Sequence, residues 1–380
     1  KASGPAGTEI VVRHGEVLDS KGRLYTDNLR SAKQTDRFIL AGDSTEFEPR
    51  FTYHGFRYAE ITGLPSVSSL ESVVARVFHS DSPQVGAFEC SSPLLNQLMS
   101  NIRWTQYANM MSVPTDCPQR DERLGWMGDA YIFAQTGIYN LDMAAFLAKW
   151  AVDIREAQGP QGQYSDVSPN PVLASNKFTS VPGWGDAGVA VPWRVYLNYG
   201  DKRLLAEHYD SAKRWIDYIR ANNPDLIWAK ARGNDYGDWL NGDTLKLEGF
   251  PSKGGEVPKE IFATVCFEAS TRQVSQMAAV LGKKDEAEQY AALADKIRAE
   301  FQKKYIGADG AMPGDTQAGY AFALNHNLAP DSLRDAMVTK LLAGIDRYGG
   351  HFSTGFHSTV PMMDELVRSG HIDTAYRLVT

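Results

Sequence analysis

From about residue 90 onward the chain is a succession of amphipathic segments that come in pairs, and this pairing limits the fold more than any other feature. "AGVAVPWRVYLNYG" and "DKRLLAEHYDSAKRWIDYIRANN" are separated only at Gly200–Asp201. "PKEIFATVCFEASTRQVSQMAAVLG" and "KDEAEQYAALADKIRAEFQKKY" share the same short break. Apolar residues recur every three or four positions in each, as an amphipathic helix requires, and Gly or Asp at the break stops one helix and caps the next. "SPLLNQLMSNIRWTQYANMM" opens with a Ser cap and a Pro in its first turn. "YIFAQTGIYNLDMAAFLAKWAVDIREAQ" reads as one long helix, and "DTQAGYAFALNH", "DSLRDAMVTKLLAGIDRY", "STVPMMDELVRSG" and "HIDTAYRLV" continue the series. The pattern predicts about ten helices. Alternate connections, 157–187, 223–258 and 306–316, are long and rich in Gly, Pro, Trp and Asp. Short turns at one end and long loops at the other describe an (α/α)6 toroid of helical hairpins. A complete one has about twelve helices. The pattern stops inside a helix at Thr380, so the toroid is expected to be incomplete, with its last hairpin missing. No fixed-length repeat is present, which disfavours a helical solenoid.

The first 66 residues differ. "TEIVVRHGEVL" and "FTYHGFRYAEITGL" are short β-branched and aromatic runs between turn-rich separators. They read as the last strands of a β-sandwich whose earlier strands lie outside the chain. The expected organisation is a partial β-sandwich domain over 1–66, a linker over 67–90 and the helical domain over 91–380, truncated at its C-terminus. The net charge of −7 argues against nucleic acid as a partner. No run of about 18 apolar residues predicts a membrane-spanning helix. Residue 1 is Lys and no signal peptide follows, so a mature form or a fragment is expected. Cys90, Cys117 and Cys266 are too scattered for a disulfide framework or a metal site. They leave the compartment open between bacterial cytoplasm and secretion.

The densest chemistry lies in "PTDCPQRDERLGWMGD", residues 114–129. Pro114 and Pro118 exclude a regular helix, so Asp116, Arg120 and Glu122 sit on an irregular loop. Trp126 and Asp129 are three apart at the start of the next helix and share a face. Crowded carboxyls split their proton affinities: a like charge raises one, an arginine lowers another. Glycoside hydrolysis needs that split, one carboxyl protonated as general acid and one ionised. Trp126 would offer Glu122 an apolar wall. A salt-bridged loop that only pins helices fits the same residues. The long connections favour the site: "SVPGWGDAG" holds Trp184 and Asp186, and "ARGNDYGDWLNGD" holds Asp235, Tyr236, Asp238 and Trp239. Indole rings that stack on a sugar face, with carboxylates for vicinal hydroxyls, suit a polyhydroxylated ligand.

These blocks carry a resemblance. "PTDCPQRDERLGWMGDA" closely resembles the signature of the bacterial α-L-rhamnosidases, glycoside hydrolase family 78. "EPRFTYHGFRYAEITGLP" resembles the end of the β-sandwich that precedes the toroid there, and "VPGWGDAG", "NDYGDWL" and "HFSTGFHST" resemble further family blocks in the same order. Met127 stands where Thr is commoner. The resemblance implies an inverting glycosidase on an (α/α)6 barrel that removes terminal α-L-rhamnose from rhamnosides, with no cofactor and no catalytic metal. Glu122 matches the general acid. Asp116, Arg120, Trp126 and Asp129 match residues that hold the rhamnose, and Trp184 and Trp239 match aromatic walls of its pocket. The family's general base is a Glu in a later block resembling Thr-Thr-x-Trp-Glu, expected beyond Thr380. This chain alone is therefore expected to hydrolyse its substrate weakly or not at all.

Three rivals stand beside this reading. A trehalase- or glucoamylase-like hydrolase would use the same toroid. A non-catalytic sugar-binding fragment would bind rhamnose without turning it over. A divalent-metal site on Asp116, Asp121, Glu122 and Asp129 is disfavoured by the two arginines among them. His351 and His357, which flank "FSTGF", read as structural. "PSKGGEVP" lacks the flanking elements of a phosphate-binding loop. Linkage, aglycone and oligomeric state are not legible.

Overall fold

The computed structural model describes residues 1–172, 178–245, 251 and 253–380. The long connections 157–187 and 223–258 and the segment "PSKGGEVP" therefore lie partly outside the described residues. The chain divides into two compact units, Lys1–Asp81 with Leu98–Gly125, and Ser82–Gln97 with Trp126–Thr380.

The first unit is built from short strands: β1 (Ala2–Ser3), β2 (Glu9–Gly15), β3 (Val17–Leu18), β4 (Leu24–Tyr25), β5 (Thr35–Ile39), β6 (Ser44–Thr45), β7 (Tyr58–Thr62), β8 (Met110–Met111) and β9 (Val113–Pro114). Its main sheet is antiparallel in the order β5-β2-β7, with Val11 opposite Arg37 on one side and Thr62 on the other. Ile10 turns inward and meets Ala2 and Leu40, with Phe38, Ile61 and Leu64 packed around them. "FTYHGFRYAEITGL" is a strand only over Tyr58–Thr62. The residues before it face the 114–124 loop: the Gly55 N–H donates to the Pro118 carbonyl, and the Arg123 guanidinium lies 4.3 Å from the Tyr53 ring centre. A polar segment with that task has no strand partner to spare.

Eleven helices are found among the described residues: α1 (Pro93–Ala108), α2 (Met127–Asn140), α3 (Ala144–Glu156), α4 (Ala187–Tyr199), α5 (Lys202–Asn222), α6 (Lys259–Val280), α7 (Lys284–Tyr305), α8 (Gln317–Asn325), α9 (Arg334–Arg347), α10 (Phe356–Arg368) and α11 (Ile372–Val379). Within the second unit the even-numbered helices pack in sequence, α2 on α4, α4 on α6, α6 on α8 and α8 on α10. From α4 onward each also meets an odd-numbered helix, as α4 does α3 and α5, and α6 does α7. The sequence follows this division. Residues Gln317–Leu324 of α8 are all buried, whereas α5 buries one stripe that includes Leu204, Leu205, Trp215, Ile216 and Ile219. A helix that is apolar all round lines the interior, and an amphipathic one covers it. The chain is mainly α in a six-hairpin arrangement, with strands ahead of it. The turn at Gly200 follows the sequence reading: its φ of 72° is left-handed, which glycine tolerates. Asp201 then caps α5 by accepting from the Leu204 N–H at 3.0 Å.

Two helix readings need correction. "YIFAQTGIYNLDMAAFLAKWAVDIREAQ" is not one helix; it breaks between Asn140 and Ala144. The Asn140 carbonyl accepts from the Val85 and Gly86 N–H groups, and the Asp142 N–H donates to the Pro83 carbonyl. A tertiary ladder thus takes the backbone groups that a continuous helix would need. The first helix ends at Ala108, because Met110–Met111 pairs with Val113–Pro114 as a hairpin.

Asp186 and Asp238 fasten long connections to helices. Asp186 accepts from the Gly183 N–H at 2.7 Å, the Trp215 indole at 3.0 Å and the Ser270 hydroxyl at 2.6 Å. Asp238 accepts from the N–H groups of Gly355, His357 and Ser358 at 2.8, 3.1 and 3.2 Å, at the start of α10. Their carboxylates are thereby committed to protein donors and not to ligand hydroxyls. Asp238→Ala would leave three amides of a buried helix start without an acceptor. It should lower unfolding free energy by about 3–5 kcal/mol, read from urea denaturation; a loss below about 1 kcal/mol would show the cap to be dispensable.

Candidate functional site

The 116–124 loop closes on itself. The Asp116 N–H donates to the Leu124 carbonyl at 3.0 Å, and the Leu124 N–H donates back to Asp116 Oδ1 at 2.9 Å. The two prolines exclude a helix here, and Arg123 adopts a left-handed φ of 50°. Inside this frame Arg120 bridges the two acids, 3.4 Å from Asp116 Oδ2 and 3.0 Å from Glu122 Oε2. Arg30 reaches the same Glu122 oxygen at 3.1 Å. Asp121 points elsewhere, accepting from the Ser31 amide and hydroxyl. Burial pushes the Asp116 carboxyl above its ordinary proton affinity, and the nearby Glu122 charge adds to this; the Leu124 amide opposes it. The Cys117 thiol is pushed up to about 11, again by burial first. A thiol held protonated, beside acids already bridged by Arg30 and Arg120, fits a metal ion poorly. The loop borders an open hollow of ≈ 290 Å³, lined in part by Gln34, Tyr53, His54, Arg120, Glu122 and Arg123.

The second unit contains an aromatic group. Trp126 precedes the first turn of α2, and Asp129 is exposed within that turn. Tyr236 is the hub. Its ring centre lies 5.8 Å from Trp126, 4.8 Å from Trp184 and 5.8 Å from Trp239. Trp184 is 3% exposed and also meets Phe356 and His357, whereas Trp239 is 45% exposed. The Tyr236 hydroxyl donates to Asp166 Oδ2 at 3.4 Å. Asp166 is wholly buried, and that burial pushes its carboxyl up to about 7, against the Val181 amide and the Tyr236 hydroxyl. His357 is buried and its basicity is pushed down to about 3, in keeping with a structural imidazole.

Asp116, Arg120 and Glu122 are thus brought together, and so, through Tyr236, are Trp126, Trp184 and Trp239. Asp166 went unnoticed in the sequence. It lies in "YSDVSPNP", where nothing marks it from other loop acids; only its burial under Tyr236 does so.

A family model for the bacterial α-L-rhamnosidase six-hairpin glycosidase domain matches residues 83–380. The chain belongs to the bacterial α-L-rhamnosidases. A second model, for the concanavalin-like domain of α-L-rhamnosidases, matches residues 1–79. An α-L-rhamnosidase of Streptomyces avermitilis is 44% identical over 380 residues, which cover 100% of this chain and 35% of that protein. One from Formosa agariphila is 36% identical, over 98% of this chain and 40% of its own length. The crystal structure of the Streptomyces avermitilis α-L-rhamnosidase complexed with L-rhamnose superposes with a TM-score of 0.91, covering 99% of this chain and 35% of that one. The native Aspergillus terreus α-L-rhamnosidase also gives 0.91 at 36% identity, over 99% and 44% of the two chains. The chain therefore spans less than half the length of these relatives.

Two predictions follow from the aromatic group. The folded Asp166 carboxyl holds its proton to about pH 7, whereas the unfolded one releases it near 3.8. Folding therefore binds a proton in that window, and stability falls as pH rises through it. Asp166→Asn should remove this slope, gaining at most about 4 kcal/mol relative to the parent at neutral pH and little at pH 4; parallel melting profiles would refute it. At Gly128 an added Cβ would lie 2.5 Å from Trp184 Cε2. Gly128→Ala should displace that indole, cost about 1–3 kcal/mol and change the near-ultraviolet circular dichroism.

Proposed function

We propose that this chain carries the glycoside-cleaving chemistry of an α-L-rhamnosidase, which removes terminal α-L-rhamnose from rhamnosides with inversion. Residues 91–380 form its catalytic domain, 67–90 a linker and 1–66 part of a β-sandwich domain. Glu122 is the general acid. What most supports this is the place of Glu122 in the "PTDCPQRDERLGWMGD" block of a chain that belongs to the bacterial α-L-rhamnosidases, where it matches the family's general acid. Arg30 and Arg120 orient the group through its Oε2, and a proton would pass from this carboxyl to the glycosidic oxygen. Asp116 and Arg120 hold rhamnose hydroxyls from the same loop. Trp126, Asp129, Trp184 and Trp239 are the further rhamnose-holding residues, with Trp239 offering the most open ring. An inverting enzyme needs a second carboxylate, about 6.5–9.5 Å from the acid, to activate water. We assign that base to no residue of this chain.

Glu122→Gln in the natural full-length protein tests the acid. Turnover of a rhamnosyl disaccharide should fall roughly 10³-fold, with rhamnose affinity unchanged. A nitrophenyl rhamnoside, whose leaving group needs no proton, should lose much less. Equal losses on both substrates would remove Glu122 from the role, and cleavage of α-glucosides in place of α-L-rhamnosides would favour a glucoamylase-like reading.

A further inference from the structure

We infer that His14, Asp36 and His54 form a binding site for one first-row divalent metal ion, Zn²⁺ foremost. The inference concerns the first unit alone and does not depend on the rhamnosidase reading. His14 lies in β2, Asp36 in β5, and His54 in the segment before β7. One donor atom from each lies within 4.8 Å of the others. The two imidazole rings stack nearly parallel, 4.2 Å apart and 19° from coplanar.

Gln34 decides the proton inventory. Its amide nitrogen donates to the carbonyls of Gln119 at 2.5 Å and Gly55 at 3.3 Å. Its Oε1 is therefore the atom that faces His54 Nδ1, and an oxygen can only accept. Nδ1 consequently carries a hydrogen. The other ring nitrogen, Nε2, faces Asp36 Oδ2 at 2.9 Å. A bare lone pair and a carboxylate oxygen repel at that distance unless a positive charge lies between them, either a second proton or a metal ion. A proton would satisfy His54 and Asp36 but would leave His14 unexplained. His14 is 8% exposed, and its Nδ1 is buried with no hydrogen-bond partner among the described residues. Burial, and then repulsion from His54, lowers the basicity of His14, opposed by Asp36 and the Gln34 carbonyl. A neutral imidazole is the ligand form of histidine.

A metal ion accounts for all three residues. Two imidazoles and one carboxylate, with water as a fourth ligand, is a donor set that Zn²⁺ accepts. Bonds of about 2.0 Å in a tetrahedron place ligand atoms about 3.3 Å apart; His54 Nε2 and Asp36 Oδ2 stand 2.9 Å apart and the three donors lie within 4.8 Å of one another, so binding draws them into place. Gln34 behind His54 then acts as the outer hydrogen-bond partner that fixes a ligating imidazole. Two nitrogens among three donors select Zn²⁺, Co²⁺, Ni²⁺ or Cu²⁺ over Mg²⁺ and Ca²⁺, which prefer oxygen. The ion would staple β2 and β5 to the segment that meets the 114–124 loop through Gln34 and Gly55.

The test uses the 380-residue chain stripped with a chelator and titrated with Co²⁺, then Zn²⁺, near neutral pH. One saturable equivalent is expected, with a visible Co²⁺ absorption band that Zn²⁺ abolishes and a rise in melting temperature. His14→Gln, His54→Gln and Asp36→Asn should each weaken binding at least tenfold, and Cys117→Ser should leave it unchanged. Should the histidine variants not fold, paramagnetic shifts in the Co²⁺-loaded parent decide: two imidazole signals should move. No stoichiometric binding by the parent, full binding by folded His54→Gln, or a thiolate charge-transfer band that disappears in Cys117→Ser would each overturn the site.

Discussion

The second unit depends on a few buried carboxylates that hold long connections against helix starts. Asp238 is the clearest. One side chain takes the amides of Gly355, His357 and Ser358 at the head of α10. The first turn of any helix leaves four N–H groups without partners, and a buried start must find acceptors elsewhere. Supplying them from the connection before α6 ties that connection, with Tyr236 and Trp239, to α10. Asp186 acts similarly, joining its own turn to Trp215 of α5 and Ser270 of α6. The aromatic group is therefore held by electrostatics at the edges and by ring packing at its centre.

The division of labour among acids follows from surroundings and not from residue type. Asp186 and Asp238 are buried and fully engaged by neutral donors, so they serve the fold. Asp166 is equally buried but is met, among the described residues, by one amide and one hydroxyl, and it keeps a proton to near neutrality. Glu122 and Asp116 share Arg120, so charge is balanced inside the loop itself. In the first unit the same physics gives His54 two acceptor oxygens on opposite sides of one ring.

Much of the fold was legible in the sequence because it is local. The breaks at Gly200 and Gly282 are left-handed glycine turns, and at the first of them Asp201 caps α5, all written in adjacent residues. The distinction between all-apolar and striped helices is likewise visible as periodicity. Where backbone groups were claimed from far away, the reading failed: the α2–α3 break is enforced by residues 83–86, nearly 60 positions upstream of Asn140 in a segment with no periodic signal. Asp186 and Asp238 were read as ligand-binding acids for the same reason, since an Asp beside Trp on a Gly-rich loop looks alike in either role.

By itself, the sequence determined a chain of helical hairpins behind a small β region, an irregular acid–arginine loop between Pro114 and Gly125, and membership of the α-L-rhamnosidases through the motif on that loop. Only the tertiary structure decided that both arginines meet Glu122 on one oxygen, that Tyr236 joins three tryptophans, that Asp166 is buried beside them, and that His14 and His54 stack next to Asp36. The physical reason is range. Caps, turns and periodicity are settled within a few residues, whereas burial and charge pairing depend on which distant segments the folded chain brings together.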